Sequence, residues 1–415
     1  MLRVFEAFAG IGSYSIALQK SGYDIELVGI SEVDRWAIHS YSAIHGKELI
    51  DDNKSIEEKL NYLKQRNIGY DFTNLRFDIK ENDYKEINKL YNESITYNNL
   101  GDLTLIDVNE IPDLDLFAYA APCRDISLLG KKQGFKKDSG TKSSLLWHCY
   151  RIIEGKKPKY CIMENVASMV NETNIKDFQV WLKELEELGY NNYYRVVNSK
   201  YFDVPQNRER IILVSILKEI DEHKFHLNIG NLYETTCFED IMEKDVDSKY
   251  YLPLSKIQSI SNWKSFQKPF ERVIGKKSIC PTITARGAGE EHSGMILFSE
   301  YLNYNTNLQN VAQNITQIDY DKYKFRFITP LECWRLQGLD DEMYYKSKEN
   351  GLVDRYLYER PGRAITIPML QEVFEKLFGE KYRVQKLKPK EHKKPTNNGV
   401  GKGGQINIFA DFDIL

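Results

Sequence analysis

The first 215 residues alternate short apolar runs with amphipathic stretches, and nothing else in the chain constrains the fold as strongly. VFEAF is followed by SIALQK, ELVGI by AIHSYSAI, DLFAYA by SLLWHCYRII and YCIMENV by FQVWLKELEEL, before RVVNSKYF and RIILVSI close the series. Apolar runs this short fit strands covered on both faces, and the stretches between them have helical spacing. The pattern therefore predicts an α/β fold, a parallel sheet of the Rossmann-like kind with crossover helices. From about residue 216 the rhythm breaks into aromatic and polar pieces with turn clusters, such as NWKSFQKPF, TARGAGEEHSG and NYNTNLQN. Helical patterning returns at TPLECWRLQ and IPMLQEVFEKLFG. The expected division is a first domain over 1–215, completed by about 356–385, a smaller irregular domain over 216–330, a hinge over 331–355, and a basic, Pro/Gly-rich flexible tail over 386–415. Residues 51–100, rich in Asn, Lys and Tyr, read as an elaborated insertion between early strands.

Composition narrows the classes of function. At 415 residues the chain exceeds one ordinary domain. A formal net charge of −3 supplies no global attraction to nucleic acid, so any such binding needs a locally basic cleft. The six cysteines are widely spaced without a C-x-x-C pair, which suggests neither a zinc site nor a disulfide framework and fits a reducing cytoplasm. No apolar stretch approaches the roughly 20 residues of a membrane span, and a soluble monomer without metal or membrane partner is expected.

Candidate functional residues fall where strands give way to loops. VFEAF runs into Ala9-Gly10-Ile11-Gly12-Ser13 and then a helix, an arrangement that brings backbone N–H groups up to a nucleotide-like ligand. The next strand ends in Ser31-Glu32, roughly 20 residues after the glycines, where an acid can accept hydrogen bonds from ribose hydroxyls. Asp102 suits an adenine amino group or, equally, a solvated loop. DLFAYA leads to Ala121-Pro122-Cys123-Arg124 and a loop rich in glycine and lysine, a setting that lowers a thiol pKa and exposes a nucleophile, although an inert buried cysteine is the common alternative. Met163-Glu164-Asn165-Val166 brings a carboxylate to the corresponding sheet edge, as a reacting group or a structural ion-pair partner. Gln206-Asn207-Arg208-Glu209-Arg210 precedes the last strand.

In this order F-A-G-I-G, P-C, E-N-V and Q-x-R-x-R resemble the motifs of the DNA cytosine-5 methyltransferases. Cys280-Pro281-Thr282-Ile283-Thr284, Thr329-Pro330-Leu331-Glu332-Cys333, Arg335-Leu336-Gln337-Gly338 and Gly362-Arg363-Ala364 extend the likeness along nearly the whole chain. The F-E-A-F-A-G-I-G-S opening and N-S-K-x-F-D…Q-N-R-E-R are similar to a CpG-specific member. The resemblance implies S-adenosylmethionine as donor, double-stranded DNA as partner, and an inserted target-recognition domain. It makes Cys123 the nucleophile that attacks C6 of a flipped-out cytosine, Glu164 the group on N3 and Arg210 the group on O2, with Arg208 supporting the loop or a phosphate. For the donor it implies Phe8, Gly10, Gly12, Glu32, Asp102, Leu103, Pro122, Leu145, Arg363 and Ala364. Arg124, Lys131, Arg272, Lys277 and Arg286 are candidate DNA contacts, with solvated charge as the alternative.

Two positions depart from the family pattern, which reads Pro-Cys-Gln and Gly-Asn-Ser/Ala where this chain has Arg124 and Arg363. Guanidinium groups beside a sulfonium repel it unless an anion is also present. Several outcomes stay open on the sequence: a donor bearing an extra carboxylate, such as carboxy-S-adenosylmethionine, held by Arg363; Arg363 turned to solvent or paired with a local acid and Arg124 on a DNA phosphate; a DNA-binding protein of this fold that has lost turnover; or a tRNA-modifying enzyme.

Overall fold

The computed structural model describes residues 1–71, 76–122, 145–222, 225–255, 273–285, 297–299 and 325–383. Strands β1 (Leu2–Ala7) and β2 (Ile25–Ser31) are joined by α1 (Ser13–Lys20), and α2 (Arg35–His45) follows. The insertion folds as α3 (Ile56–Gln65), a short hairpin of β3 (Tyr70–Asp71) and β4 (Arg76–Phe77), and α4 (Tyr84–Thr96), around its own core of Leu63, Ile68, Ile79, Ile87, Leu90 and Tyr91. Then come β5 (Leu116–Tyr119), α5 (Leu146–Lys156), β6 (Tyr160–Val166), α6 (Ile175–Glu187), β7 (Tyr190–Asn198), β8 (Gln206–Asn207) and β9 (Glu209–Leu217).

Six of these strands form one sheet in the order β2-β1-β5-β6-β9-β7. Alternate residues of β5 show why helices must cover both faces: Leu116 and Ala118 enter the core beneath α1, while Phe117 and Tyr119 enter the core beneath α5 and α6. The sheet departs from the expected all-parallel order at one strand. β9 runs antiparallel to both β6 and β7. The cause lies in the connection from β7 to β9, which spans Ser199 to Arg208 without an α-helix, whereas a parallel return needs a crossover long enough to span the sheet. The reversal has a direct consequence for the site: the start of β9, with Arg210, sits at the same edge as the end of β6, with Glu164.

Beyond β9, the two-residue strand β10 (Val273–Ile274), β12 (Leu297–Ser299) and β13 (Phe325–Phe327) form a small sheet, while β11 (Cys280–Pro281) pairs in parallel with β8. Phe238, Ile274, Cys280, Ile283, Ile328, Cys333 and Leu336 share a second core. Helices α7 (Pro330–Arg335), α8 (Asp341–Glu349), α9 (Asp354–Arg363) and α10 (Ile367–Phe378) complete the described chain. The core beneath α1 takes in Phe225, Leu227 and Ile229 from beyond residue 215. From the segment read as a hinge it also takes Leu331, Trp334, Leu339, Tyr344 and Leu352. Among the described residues no helix is long and apolar enough to cross a membrane.

Helix α9 contains Pro361, which has no N–H to give the carbonyl of Leu357 four residues earlier. The indole N–H of the fully buried Trp334 donates to that carbonyl at 2.8 Å instead. The next residue is equally constrained: a Cβ on Gly362 would lie 2.4 Å from the backbone carbon and oxygen of Thr284. Pro361 and Gly362 thus let the end of α9 lie directly on the segment that follows β11. Gln206 and Gln337, both fully buried, bind the same junction, the first through Leu336 O and Ile283 N, the second through Pro361 O and Thr366 Oγ1.

Candidate active site

The glycine loop after β1 holds three consecutive features of unusual backbone. Phe8 has φ 56°, Gly10 φ 58° and Gly12 φ 82°. At Gly12 a Cβ would lie 2.2 Å from His45 Nε2 and 2.7 Å from Tyr41 Cε2, so this position requires glycine on two counts. Helix α1 starts from Gly12 without a side-chain cap. One of its free donors, Ser15 N–H, is taken at 2.6 Å by Glu6, a fully buried carboxylate from β1 that also accepts from Ser15 Oγ.

Glu32 anchors the loop from the neighbouring strand. One carboxylate oxygen accepts the Gly10 N–H at 2.8 Å, and the other accepts from Val33 and Asp34. Burial, followed by the charge of Asp34, pushes the Glu32 carboxyl above its ordinary range. Asn99, at the end of the insertion, donates to Glu32 O and accepts from Glu32 N, so the 51–100 segment fixes the residue that fixes the loop.

A cleft opens over this loop, lined by Phe8, Gly10, Tyr14 and Glu32 on one side and by Arg360, Arg363 and Ala364 on the other. The two walls are joined where Ile365 N donates to Ser13 Oγ. Arg360 is 2% exposed, and its Nη2 lies 3.1 Å from Asp34 Oδ2. Arg363 Nη1 reaches the same oxygen at 3.0 Å, and its Nη2 pairs with Glu359. Burial alone would raise the Asp34 carboxyl, but Arg360 and Arg363 outweigh it and hold the group down at about 2. The anion that the sequence argument required beside Arg363 is therefore present in the chain. Neither Asp34 nor Arg360 was singled out from sequence. Their signals were local: Asp34 caps α2 through Trp36 N and Ala37 N, and Glu359, Arg360 and Arg363 share the last turns of α9 at helical spacing.

The other donor-side candidates lie outside the lining of that cleft. Asp102 spends one oxygen on Asn67 Nδ2 and the other on Thr104, which keeps its loop closed. Leu103 is buried among Phe5, Leu100 and Trp147, with Phe8 packed against the same cluster. Leu145 precedes the first residue of α5, and Pro122 is half-buried just before the described chain breaks off.

At the far end of β6, Glu164 and Arg210 meet. The register pairs Val166 with Arg210 and Glu164 with Ile212, so Glu164 and Arg210 are diagonal neighbours on one face of the sheet. Arg210 Nε lies 2.8 Å from Glu164 Oε1. The approach is ionic without hydrogen-bond alignment: that oxygen is buried and takes no hydrogen bond among the described residues. Next along β6, Asn165 Nδ2 donates to Ala121 O at 3.1 Å, tying down the segment that leads into Cys123. Cys123, Arg124, Lys131, Arg272 and Arg286 lie outside the described residues, as does the 386–415 tail. Lys277 is exposed and paired with Glu239.

Arg208, which the resemblance gives the part of supporting the loop or a phosphate, lies apart from the Glu164–Arg210 pair. It is 3% exposed and donates to the carbonyls of Ile283, Gly362 and Ala364. It sits in the break between β8 and β9 and clamps the second half of the chain onto the sheet edge.

Comparison with known proteins agrees with this geometry. A family model for C-5 cytosine-specific DNA methylases matches residues 2–79 and 68–379, and the chain belongs to that family. It is 35% identical over 383 residues to the type II methyltransferase M2.ScrFI of Lactococcus lactis subsp. cremoris, covering 91% of this chain and 99% of that one. It is also 35% identical over 236 residues to the orphan methyltransferase M.SssI of Spiroplasma monobiae, covering 53% and 61%. The fold matches the crystal structure of the S. pombe Dnmt2 methyltransferase with a TM-score of 0.60 at 15% identity, over 90% of this chain and 97% of that one.

Proposed function

We propose that the chain methylates C5 of cytosine in double-stranded DNA, with S-adenosylmethionine as donor and Cys123 as covalent nucleophile. The observation that carries the reading is the Glu164–Arg210 pair, placed by the reversed β9 at the sheet edge beside the segment leading into Cys123. The fit of the donor rests on the cleft, where Gly10 leaves the loop backbone uncovered and the half-buried Glu32 carboxylate lies in the wall. Bound there, S-adenosylmethionine supplies an electrophilic methyl group on a sulfonium.

The target base leaves the helical stack, because C5 and C6 are out of reach inside it. Cys123 adds as thiolate to C6, and the electron pair moves toward N3 and O2. Glu164 binds N3 and passes a proton to it, and Arg210 donates to O2, so the charge that develops on the ring meets groups already fixed in place. Attack through C5 on the methyl group is followed by loss of the C5 proton and expulsion of Cys123, which restores the aromatic ring. Phe8, Gly10, Gly12, Glu32, Arg363 and Ala364 hold the donor, with Asp102 and Leu103 toward the adenine and Pro122 and Leu145 lining the site. Residues 216–330, which contribute the small sheet, serve as the target-recognition domain.

The pairing of Arg363 with Asp34 and Glu359 supports the ordinary donor over a carboxylated one, since the guanidinium already has its anions. A duplex containing 5-fluorocytosine tests the covalent step, because fluorine at C5 blocks the final elimination. A denaturation-resistant adduct that is absent in Cys123→Ser is expected. A wild-type chain that binds the duplex without forming an adduct refutes the enzyme reading and leaves a binding protein.

A further inference from the structure

The donor cleft has two arginines in one wall, an unfavourable surface for a cation, and two carboxylates, Asp34 and Glu359, meet their charge. Asp34 Oδ2 is within 3.1 Å of Arg360 Nη2 and 3.0 Å of Arg363 Nη1. Asp34 Oδ1 is used elsewhere: it accepts from Trp36 N at 2.9 Å and Ala37 N at 3.2 Å, capping α2. One oxygen therefore serves the helix and the other serves the cleft. Glu359 takes a second contact from each arginine but belongs to the same helix, so among the described residues Asp34 is the carboxylate that ties these arginines to the strand end carrying Glu32. The Nε of Arg360 is buried without a hydrogen-bond acceptor, which leaves the guanidinium dependent on Asp34 and Glu359 for compensation.

We propose that Asp34 is a positioning residue that sets the preference of the cleft for a sulfonium donor over the uncharged thioether left after transfer. The proposal rests on the reading of this cleft as the S-adenosylmethionine site. S-adenosylmethionine carries one more positive charge than S-adenosylhomocysteine and is otherwise nearly the same shape. Loss of one negative charge beside the arginines therefore penalises the first and spares the second. The structure makes the perturbation clean. Asparagine is as good a helix cap as aspartate, so Asp34→Asn keeps the bonds to Trp36 and Ala37 while removing the charge. Removing one unit charge from a partly screened wall changes the preference by about tenfold.

The test is calorimetric titration of the full chain with S-adenosylmethionine and separately with S-adenosylhomocysteine, for wild type, Asp34→Asn, Arg363→Gln and the double variant. Asp34→Asn is expected to lower the affinity ratio of donor to product by about tenfold. Arg363→Gln moves the ratio the other way, and the double variant returns it close to the wild-type value. Equal weakening of both ligands in Asp34→Asn assigns the residue to structure alone and overturns the proposal, as does an unchanged ratio. A wild-type chain that binds neither ligand overturns the reading of the cleft itself, and this assignment with it.

Discussion

Replacing Trp334 by phenylalanine removes the one N–H that meets the Leu357 carbonyl in the middle of α9. Proline at 361 cannot take over, and both Trp334 and Leu357 are fully buried, so water has no access to the vacated oxygen. An unsatisfied buried carbonyl costs about 1–3 kcal/mol, and trimming the indole to a phenyl ring in a packed core adds about 1–2 kcal/mol of lost contact. The expected loss is thus about 2–5 kcal/mol in urea unfolding, with the m-value unchanged. The decisive variant is the double one. In Trp334→Phe with Pro361→Ala, the new backbone N–H of residue 361 can reach Leu357 O along the helix, recovering about 1–2 kcal/mol of the hydrogen-bond part. Strictly additive effects of the two substitutions would refute the idea that the indole stands in for the proline's missing donor.

Further outcomes follow from the same geometry. Glu164→Gln removes the group proposed to protonate N3, and a fall of about 10²–10⁴ in turnover with binding of duplex DNA retained is expected by single-turnover assay. Gly362→Ala forces a methyl group against the Thr284 backbone at 2.4 Å, and the expected result is a lower unfolding midpoint together with weaker donor binding; unchanged values for both would contradict the close contact. Glu6 has its carboxyl pushed up by burial from 4.5 to about 7, against the bonds from Ser15 that favour the ionised form. It holds more protons folded than unfolded between those values, so its contribution to stability is complete below pH 4.5 and is lost as pH rises through about 7. Glu6→Gln should flatten that slope, worth about 3 kcal/mol, in unfolding measured across the same window.

The α/β class was legible because strands covered on both faces must be short and almost wholly apolar, as DLFAYA and YCIMENV are. The direction of β9 was not legible from apolarity, since RIILVSI is equally consistent with either direction; the absence of a helical stretch between Asn198 and Glu209 was the available signal. The positions of Gly10, Glu32, Glu164 and Arg210 were legible because each lies close to where a strand of the sheet begins or ends. Arg208 shows the limit: the sequence left it as support for the loop or a phosphate contact, and only the carbonyls of Ile283, Gly362 and Ala364, from 75 to 156 residues away, show what it holds. Asp34 and Arg360 were hidden for the same reason, their partnership spanning 326 residues.

The central claim is that this chain delivers a methyl group to C5 of cytosine through Cys123. Nucleoside mass spectrometry of duplex DNA after incubation with the chain and S-adenosylmethionine measures it directly, with a parallel reaction supplied only with carboxy-S-adenosylmethionine. The account predicts 5-methylcytosine with the first donor, none of it from Cys123→Ser, and little product with the second. Unmodified cytosine with both donors, or 5-carboxymethylcytosine as the main product, would contradict it.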